Sequence, residues 1–530
     1  MGKHRKQSDT PLSILQWNCR GFKTSKCELI NAIENKYISP DVICLQEMPS
    51  KSDLAGYKLV MHQSNSYKNS GIGIFARKDI ACSEISTKHI TTTENILYGG
   101  IKVYGKTGNI DIINAYSSPN AKTNFSELYS LISQLGNKSI ILGDLNAHDP
   151  LWDPNWDHPC KKAEELKQFL ENTDYVLLND GSETYDCSHI ANSNKTGTTP
   201  DITLATPTLA DKAEWKTLET TLGSDHYPIH LNIYAHYHRT SPASIPKWKF
   251  HKADWDKFIP QCKGRLEVDA TLDINECTDT FTSTLYSISK EHIPQTSGKI
   301  HNRPANPWWN DTCTEAIKNR ETCRRKWRQA KRGDLENKLK LKNEYILAKA
   351  ATSATLNTAR QQGWQDFISS ITLKQNSKEV WYNFNKLRGR KSHTIPPLQN
   401  GNYTVVDDQE KANLLTKHYQ RASSDDNLNP QFKILKEEYE PEIQAAIESE
   451  NTLDPKENTD YLNRLFIMSE FKTALRSKKS TSPGSDQIHY TILKKLPAQS
   501  QEQLLSLINK SWSEGVLPDT WKEATIIPIL

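Results

Sequence analysis

An α/β domain over residues 12–237 followed by a mostly α-helical region is the architecture that the 530-residue sequence predicts. Three observations carry this reading. Up to Tyr237 short apolar or alternating runs, of strand type, are separated by turn residues and by segments with apolar residues every three or four positions. The stretch Arg239-Thr240-Ser241-Pro242-Ala243-Ser244-Ile245-Pro246 reads as a linker within residues 238–247. From about Trp248 to Arg388 the periodicity is helical and glycine is sparse. The length also exceeds what one hydrophobic core usually organises, so at least two domains are expected.

In order along the α/β domain, strands are expected at residues 13–17, 41–46, 71–76, 110–115, 139–142, 202–205 and 227–233, and helices at 27–36, 124–135 and 162–172. Several strands run into polar clusters, as in Trp17-Asn18-Cys19-Arg20-Gly21, Leu45-Gln46-Glu47 and Leu142-Gly143-Asp144-Leu145-Asn146. Strand ends that converge on one sheet edge are natural places for chemistry, because the scaffold beneath them is rigid.

Composition narrows the class of protein. Hydrophobic residues make up 36% and charged residues 25%. No apolar run approaches the ~20 residues that span a bilayer, and the basic start, residues 1–11, has no secretory core. An intracellular chain without a membrane anchor is expected, with reduced thiols at its ten scattered cysteines. The net charge of +4 is small, but its distribution is uneven. Residues 301–350 hold 13 Lys/Arg against 6 Asp/Glu, whereas residues 422–460 hold 11 acidic residues against 3 basic ones. The basic stretch includes Arg320, Arg324, Arg325, Lys326, Arg328, Lys331 and Arg332 on one expected helix, which suits a phosphate backbone because each neutralised phosphate releases counterions.

The polar strand ends form a set: Asn18, Glu47, Tyr116, Asp144 with Asn146, Asp201, and Asp225-His226. Phosphodiester cleavage needs a hard cation on the phosphate oxygens, an activated water and donors for the developing charge. Glu47 and Asp225 are oxygen ligands suited to Mg²⁺. Asp144 with Asn146 can align and deprotonate a water, while His226, held in one tautomer by a carboxylate such as Asp201, can balance the phosphate charge or share the proton. Any one of these residues is ordinary; their joint placement at strand ends is not.

The same residues carry a family resemblance over about residues 12–237. Gln16-Trp17-Asn18-Cys19-Arg20-Gly21, Leu45-Gln46-Glu47, Asn114-Ala115-Tyr116-Ser117-Ser118-Pro119, Gly143-Asp144-Leu145-Asn146-Ala147-His148 and Ser224-Asp225-His226-Tyr227-Pro228-Ile229 resemble, in order, the motifs of the endonuclease/exonuclease/phosphatase family. The resemblance implies a four-layered α/β sandwich and an Mg²⁺-dependent phosphodiesterase, with Mn²⁺ as a substitute. It makes Glu47 the principal metal ligand with Asn18 beside it, lets Asp144 position the water, sets Asn146 and Tyr116 on the scissile phosphate, and has Asp201 orient His226. Cys19-Arg20-Gly21 has the form usual in retrotransposon nucleases, where abasic-site repair enzymes carry an acidic residue.

Further on, Trp381-Tyr382-Asn383-Phe384-Asn385-Lys386-Leu387-Arg388 and the runs to Ala412 resemble the connector that precedes a non-LTR retrotransposon reverse transcriptase, expected over residues 248–460. Ser480-Thr481-Ser482-Pro483-Gly484-Ser485-Asp486 and Gly515-Val516-Leu517-Pro518-Asp519-Thr520-Trp521 resemble the opening of that polymerase, of the jockey-like kind, expected as a truncated fingers region over residues 461–530. The polymerase's metal-binding aspartates do not occur in the chain, so no reverse transcription is expected from it alone, and residues 471–530 are expected to be poorly stabilised. The function implied is nicking of double-stranded DNA to leave a 3′-hydroxyl primer, in the nucleus if chromosomal DNA is the target, with element RNA a possible partner of the basic helix. The alternatives are an abasic-site repair endonuclease, a small-phosphoester hydrolase and a nucleic-acid-binding remnant without activity.

Overall fold

The computed structural model describes residues 11–64, 70–85, 96–105, 107–121, 126–187, 197–239, 246–269, 271–296, 308–330, 335–371, 396–401, 403–450, 464–477 and 481–523. The chain divides into two compact units, residues 1–241 with 302–414, and residues 242–301 with 415–530. The first division falls after residue 241, and residues 302–414, within the stretch 248–460 read as a connector, group with the α/β domain.

The first unit contains β1 (Leu12–Asn18), β2 (Val42–Gln46), β3 (Tyr57–Ser64), β4 (Gly71–Arg77), β5 (Cys82–Ile85), β6 (Ile96–Val103), β7 (Ile110–Ser117), β8 (Ser139–Asp144), β9 (Val176–Leu177), β10 (Tyr185–Asp186), β11 (Gly197–Thr198), β12 (Asp201–Ala205), β13 (Ala213–Thr217) and β14 (Ile229–Ile233). Two six-stranded sheets result, in the orders β13-β14-β1-β2-β4-β3 and β5-β6-β7-β8-β12-β9. Helix α1 (Phe22–Glu34) packs Phe22, Leu29 and Ile30 with Leu15, Trp17, Ile43 and Leu45 of the first sheet. Helices α2 (Ser126–Ile132) and α3 (Lys161–Glu171) set Leu128, Leu131, Leu166 and Phe169 with Ile113, Ile141, Ile202 and Leu204 of the second. Between the sheets lie Ile14, Val42, Cys44, Ile72, Ile74, Ile112, Ile140 and Leu142. Helix, sheet, sheet, helix is the four-layered α/β sandwich expected.

Strand alternation explains where the polar strand ends go. In β1, Leu12 and Ile14 join the core between the sheets while Leu15 and Trp17 join the outer core with α1. Because side chains alternate faces, Gln16 and Asn18 continue the inner face. The same parity places Gln46 after Val42 and Cys44, Asn114 and Tyr116 after Ile110 and Ile112, and Asp144 after Ile140 and Leu142. The interior face is therefore apolar at one end and polar at the other. A one-residue slip in any of these strands would turn its polar end out of the group.

The rest of the first unit is mainly helical, apart from a short antiparallel hairpin of Leu398–Asn400 and Tyr403–Val405. After the four-residue helix α4 (Pro207–Ala210) come α5 (Trp255–Cys262) and α6 (Ile274–His292) of the second unit, then α7 (Asp311–Gln329) and α8 (Leu335–Ser369) of the first. Helix α7 starts at Asn310, whose side chain accepts from the Cys313 amide, as an N-cap does. Trp327 of α7 stacks on Tyr345 of α8 with centroids 5.9 Å apart.

This corrects the reading of the basic helix as a phosphate track. Arg320 is buried and donates from both terminal nitrogens to the two carboxylate oxygens of Glu28 in α1, each at 2.8 Å. Arg324 is also buried, donating to Glu321 and to the Tyr227 hydroxyl, and Arg328 pairs with Glu183 at 2.6 Å. Arg320 and Arg324 are thus spent within the protein, while Arg328 is paired but exposed. Arg325 and Lys326 are exposed, and Lys331 and Arg332 lie outside the described residues.

In the second unit, Phe258, Cys262, Ile274, Phe281, Leu285 and Ile288 share a core with Ile492, Leu496 and Leu507. Ser500 Oγ donates to the Cys262 carbonyl at 3.0 Å. Within the stretch from Phe471 onward, expected to be poorly stabilised, residues 490–507 contribute Ile492, Leu496 and Leu507 to this core. The connector motif at 381–388 and the stretches 478–480 and 524–530 lie outside the described residues.

Candidate active site

At the polar edge the register sets the site. Tyr116 of β7 pairs with Asp144 of parallel β8, and Asp144 pairs with Asp201 of antiparallel β12, so three functional side chains stand side by side on one face. From the other sheet Asn18 ends β1, opposite Gln46 at the end of β2, and Glu47 follows. Such close approach requires a glycine before Asp144: a Cβ on Gly143 would lie 1.8 Å from the Ala115 carbonyl oxygen of the neighbouring strand. Arg20, Glu47 and Asn146 all have positive φ, 45°, 55° and 49°, an uncommon state for non-glycine residues that collects at functional sites.

The hydrogen bonds form one network. Asn18 Nδ2 donates to Glu47 Oε1 at 3.2 Å and to Asp144 Oδ2 at 2.8 Å, and Tyr116 donates to Glu47 Oε1 at 3.3 Å. The Asn146 amide donates to Asp144 Oδ1 at 3.1 Å, and its side chain is held by the Ser117 carbonyl. His226 Nδ1 lies 2.8 Å from Asp201 Oδ2, leaving Nε2 3.8 Å from Asp144 Oδ2. Asp201 is fixed in turn by Thr184 at 2.7 Å and by Gln16 at 3.4 Å. With Nδ1 committed to a carboxylate, the ring presents Nε2 to the site.

Burial and neighbouring charge set the proton affinities. Burial, and then the Asp201 carboxylate, raise the Asp144 carboxyl above its ordinary range. Burial alone would lower His226, but Asp201, together with Asp144 and Asp225, pushes it up to about 10, so the ring is a cation at neutral pH. Burial and the Glu47 charge raise the Tyr116 hydroxyl.

A cleft of about 610 Å³ opens over this network, lined by Arg20, Glu47, Asp144, Asn146, Asp225 and His226 among others. Every strand-end residue singled out from the sequence reaches this edge. Asp225, expected as a metal ligand, ion-pairs with Arg20 at 2.5 Å and accepts from Ser224 through its other oxygen. Sequence reasoning missed Thr184 and Gln16 behind Asp201, and Tyr185, whose ring meets His226 edge-on at 4.8 Å. It also missed the far wall of the cleft, where Trp156 stacks on His148, itself bound to buried Asp153.

Asp144, Asp201 and His226 bring ligand-type atoms within 4.8 Å of one another. Because one His226 nitrogen and both Asp201 oxygens already have protein partners, the trio is better suited to holding a proton than an ion. The hard oxygens of Glu47, with Asn18 beside it, are the donors that fit a divalent cation. In the present orientation Asn18 turns its amide nitrogen to the Glu47 and Asp144 carboxylates, while its oxygen accepts from the Arg20 amide at 3.1 Å.

A family model described as endonuclease-reverse transcriptase matches residues 110–230, which include Tyr116, Asp144, Asn146, Asp201 and His226. The chain is 22% identical over 553 residues to a probable RNA-directed DNA polymerase from transposon BS of Drosophila melanogaster, covering 98% of this chain and 55% of that protein. The chain is thus similar to endonuclease-reverse transcriptase proteins of mobile elements. The RNA-directed DNA polymerase from the D. melanogaster mobile element jockey is 22% identical over 302 residues, covering 54% of this chain and 31% of that one. The chain spans about half the length, or less, of these curated relatives. Among solved structures, the endonuclease domain of TRAS1, a telomere-specific non-LTR retrotransposon, covers 42% of this chain and 98% of its own length at 19% identity and a TM-score of 0.35. Among the described residues no helix is long and apolar enough to cross a membrane.

Proposed function

We propose that the first unit is a divalent-metal-dependent endonuclease that nicks one strand of duplex DNA and leaves a 3′-hydroxyl, the primer from which an element's RNA is reverse transcribed. The observation that supports it best is the single network joining Glu47, Asn18, Tyr116, Asp144, Asn146 and the Asp201–His226 pair at one sheet edge.

Glu47 is the residue assigned to hold Mg²⁺ or Mn²⁺, with Asn18 beside it if its amide turns over. The ion would supply charge neutralisation on the phosphate oxygens. Asp144 is the assigned base. Its raised proton affinity makes it a better acceptor for the attacking water's proton than an ordinary carboxylate, and the Asn146 amide fixes its orientation. His226, cationic and aimed by Asp201, meets the negative charge on the phosphoryl oxygens as the P–O3′ bond breaks. Tyr116 and Asn146 are donors for the phosphate. The exposed Arg325 and Lys326 remain candidates for outlying phosphates.

The test is relaxation of supercoiled plasmid by the full chain, with Mg²⁺ and with chelator. Wild type should nick only with the metal, and Asp144→Asn and His226→Ala should each lower the rate at least about 100-fold, the usual scale for one general acid–base group, when assayed at a temperature at which circular dichroism shows both variants folded. Metal-independent nicking, or folded variants that nick like wild type, would refute the assignment. Replacing Arg325 and Lys326 together with alanine should reduce the salt slope of DNA binding by about 2; an unchanged slope removes them from the interface.

A further inference from the structure

We infer that the helical pair α7–α8 is a working part of the nuclease, holding the His226 loop in place from the side opposite the cleft. This rests on the nuclease reading only in calling His226 catalytic; the contacts stand without it. Tyr227, next to His226 in sequence, is buried between two cations of α7, with the Arg324 and Arg328 guanidinium carbons 5.4 and 5.2 Å from its ring centre. Arg324 also donates to the Tyr227 hydroxyl at 3.3 Å.

A second support comes from α8. Buried Tyr345 donates to Asp186 Oδ2 at 3.2 Å, and the Asp186 backbone amide donates to the Asp225 carbonyl, one residue before His226. The preceding residue, Tyr185, is the one whose ring abuts His226. The helices therefore reach both flanks of the histidine, Asp225 through strand β10 and Tyr227 directly. The Arg320–Glu28 pair anchors α7 to α1, and Arg328 reaches Glu183, at the start of the segment that carries Tyr185.

Charged and aromatic groups ordered in this way limit how far the imidazole can swing. Catalysis depends steeply on such placement, since a misplacement of about 1 Å can cost on the order of 100-fold. Arg324, Arg328 and Tyr345 are positioning residues. None of them lines the cleft, so their loss should change the rate of the chemical step and leave DNA affinity alone.

The experiment uses full-length protein carrying Tyr345→Phe, which removes one hydroxyl, and separately Arg324→Gln with Arg324→Lys as its conservative partner. Two readouts are taken: kcat and KM for nicking, and, without metal, the downfield NMR resonance of the His226 ring proton shared with Asp201. We expect kcat to fall several-fold to about ten-fold at constant KM, the resonance to shift or broaden, and Arg324→Lys to recover part of both. Folded variants with wild-type kcat and an unmoved resonance would overturn the proposal, as would a loss confined to KM. If the wild type does not nick at all, the nuclease reading fails while the resonance still decides whether the helices position His226.

Discussion

At the scale of single residues the site is organised by where protons rest. His226 is held charged chiefly by Asp201, and the unfolded chain has no such partner, so its folded proton affinity lies above the free value of roughly 6.5. The sign follows by linkage. The stabilisation is complete below the unfolded value and is lost as pH rises from there through about 10. Urea unfolding in chelator between pH 6.5 and 10 should show stability declining with pH, and Asp201→Asn should flatten that decline. An equal slope in the variant would mean that His226 is not held as a cation. The principal residues of this network were legible in the sequence because each ends a strand whose apolar register is plain. Thr184, Gln16, Tyr185 and the His148–Trp156 wall were not. They come from short bridges and loops, or sit within a strand that reads as core, and no periodicity announces them.

At the scale of elements, two strand failures and one helix failure are informative. β3 and β6 were not expected; β6 carries Gly99 and Gly100, and glycine within a strand weakens its pattern. A Cβ on Gly99 would come within 2.4 Å of the end of the Met61 side chain of β3, so the methionine of the facing sheet fills the space this glycine leaves. Helix α7 was expected rightly as a helix and wrongly as a surface. A basic run looks solvated until its partners are known, and Glu28, the acceptor for Arg320, lies 292 residues away. Removing one partner of a buried ion pair leaves the other without compensation and typically costs about 3–5 kcal/mol. Glu28→Gln leaves Arg320 with Glu321, 2.9 Å away, and should destabilise the first unit by about 2 kcal/mol in chemical denaturation, and Glu28→Gln with Arg320→Met should recover part of it. A single variant as stable as wild type would show that the pair does not anchor α7.

At the scale of the whole molecule the division into two units follows neither half of the sequence. The chain leaves the first unit after residue 241, returns at 302, and leaves again after 414. The composition shift near residue 238 signalled the first crossing, but a helix that rejoins the sandwich and a helix that does not have the same periodicity, so the second was hidden. The second unit's core depends on the same interleaving, since Phe258, Phe281 and Ile288 are covered by Ile492, Leu496 and Leu507. A chain ending at residue 480 should accordingly lose hydrogen-exchange protection across residues 274–292. Unchanged protection there would show that α5 and α6 pack without the later helices.

The split course of the chain also has a consequence for synthesis. A ribosome releases the whole sandwich by residue 241, yet the helices that reach Tyr227 and Asp186 are not finished until residue 369 has emerged. At about 5–20 residues per second, that interval lasts on the order of 10 s. For that time the newborn sandwich already holds its strand-end carboxylates while Glu28, Asp186 and the Tyr227 ring still await their covering helices. The nascent chain should therefore acquire its shape before its final grip on the histidine, and the proposed cutting activity would be delayed until residue 369 has emerged.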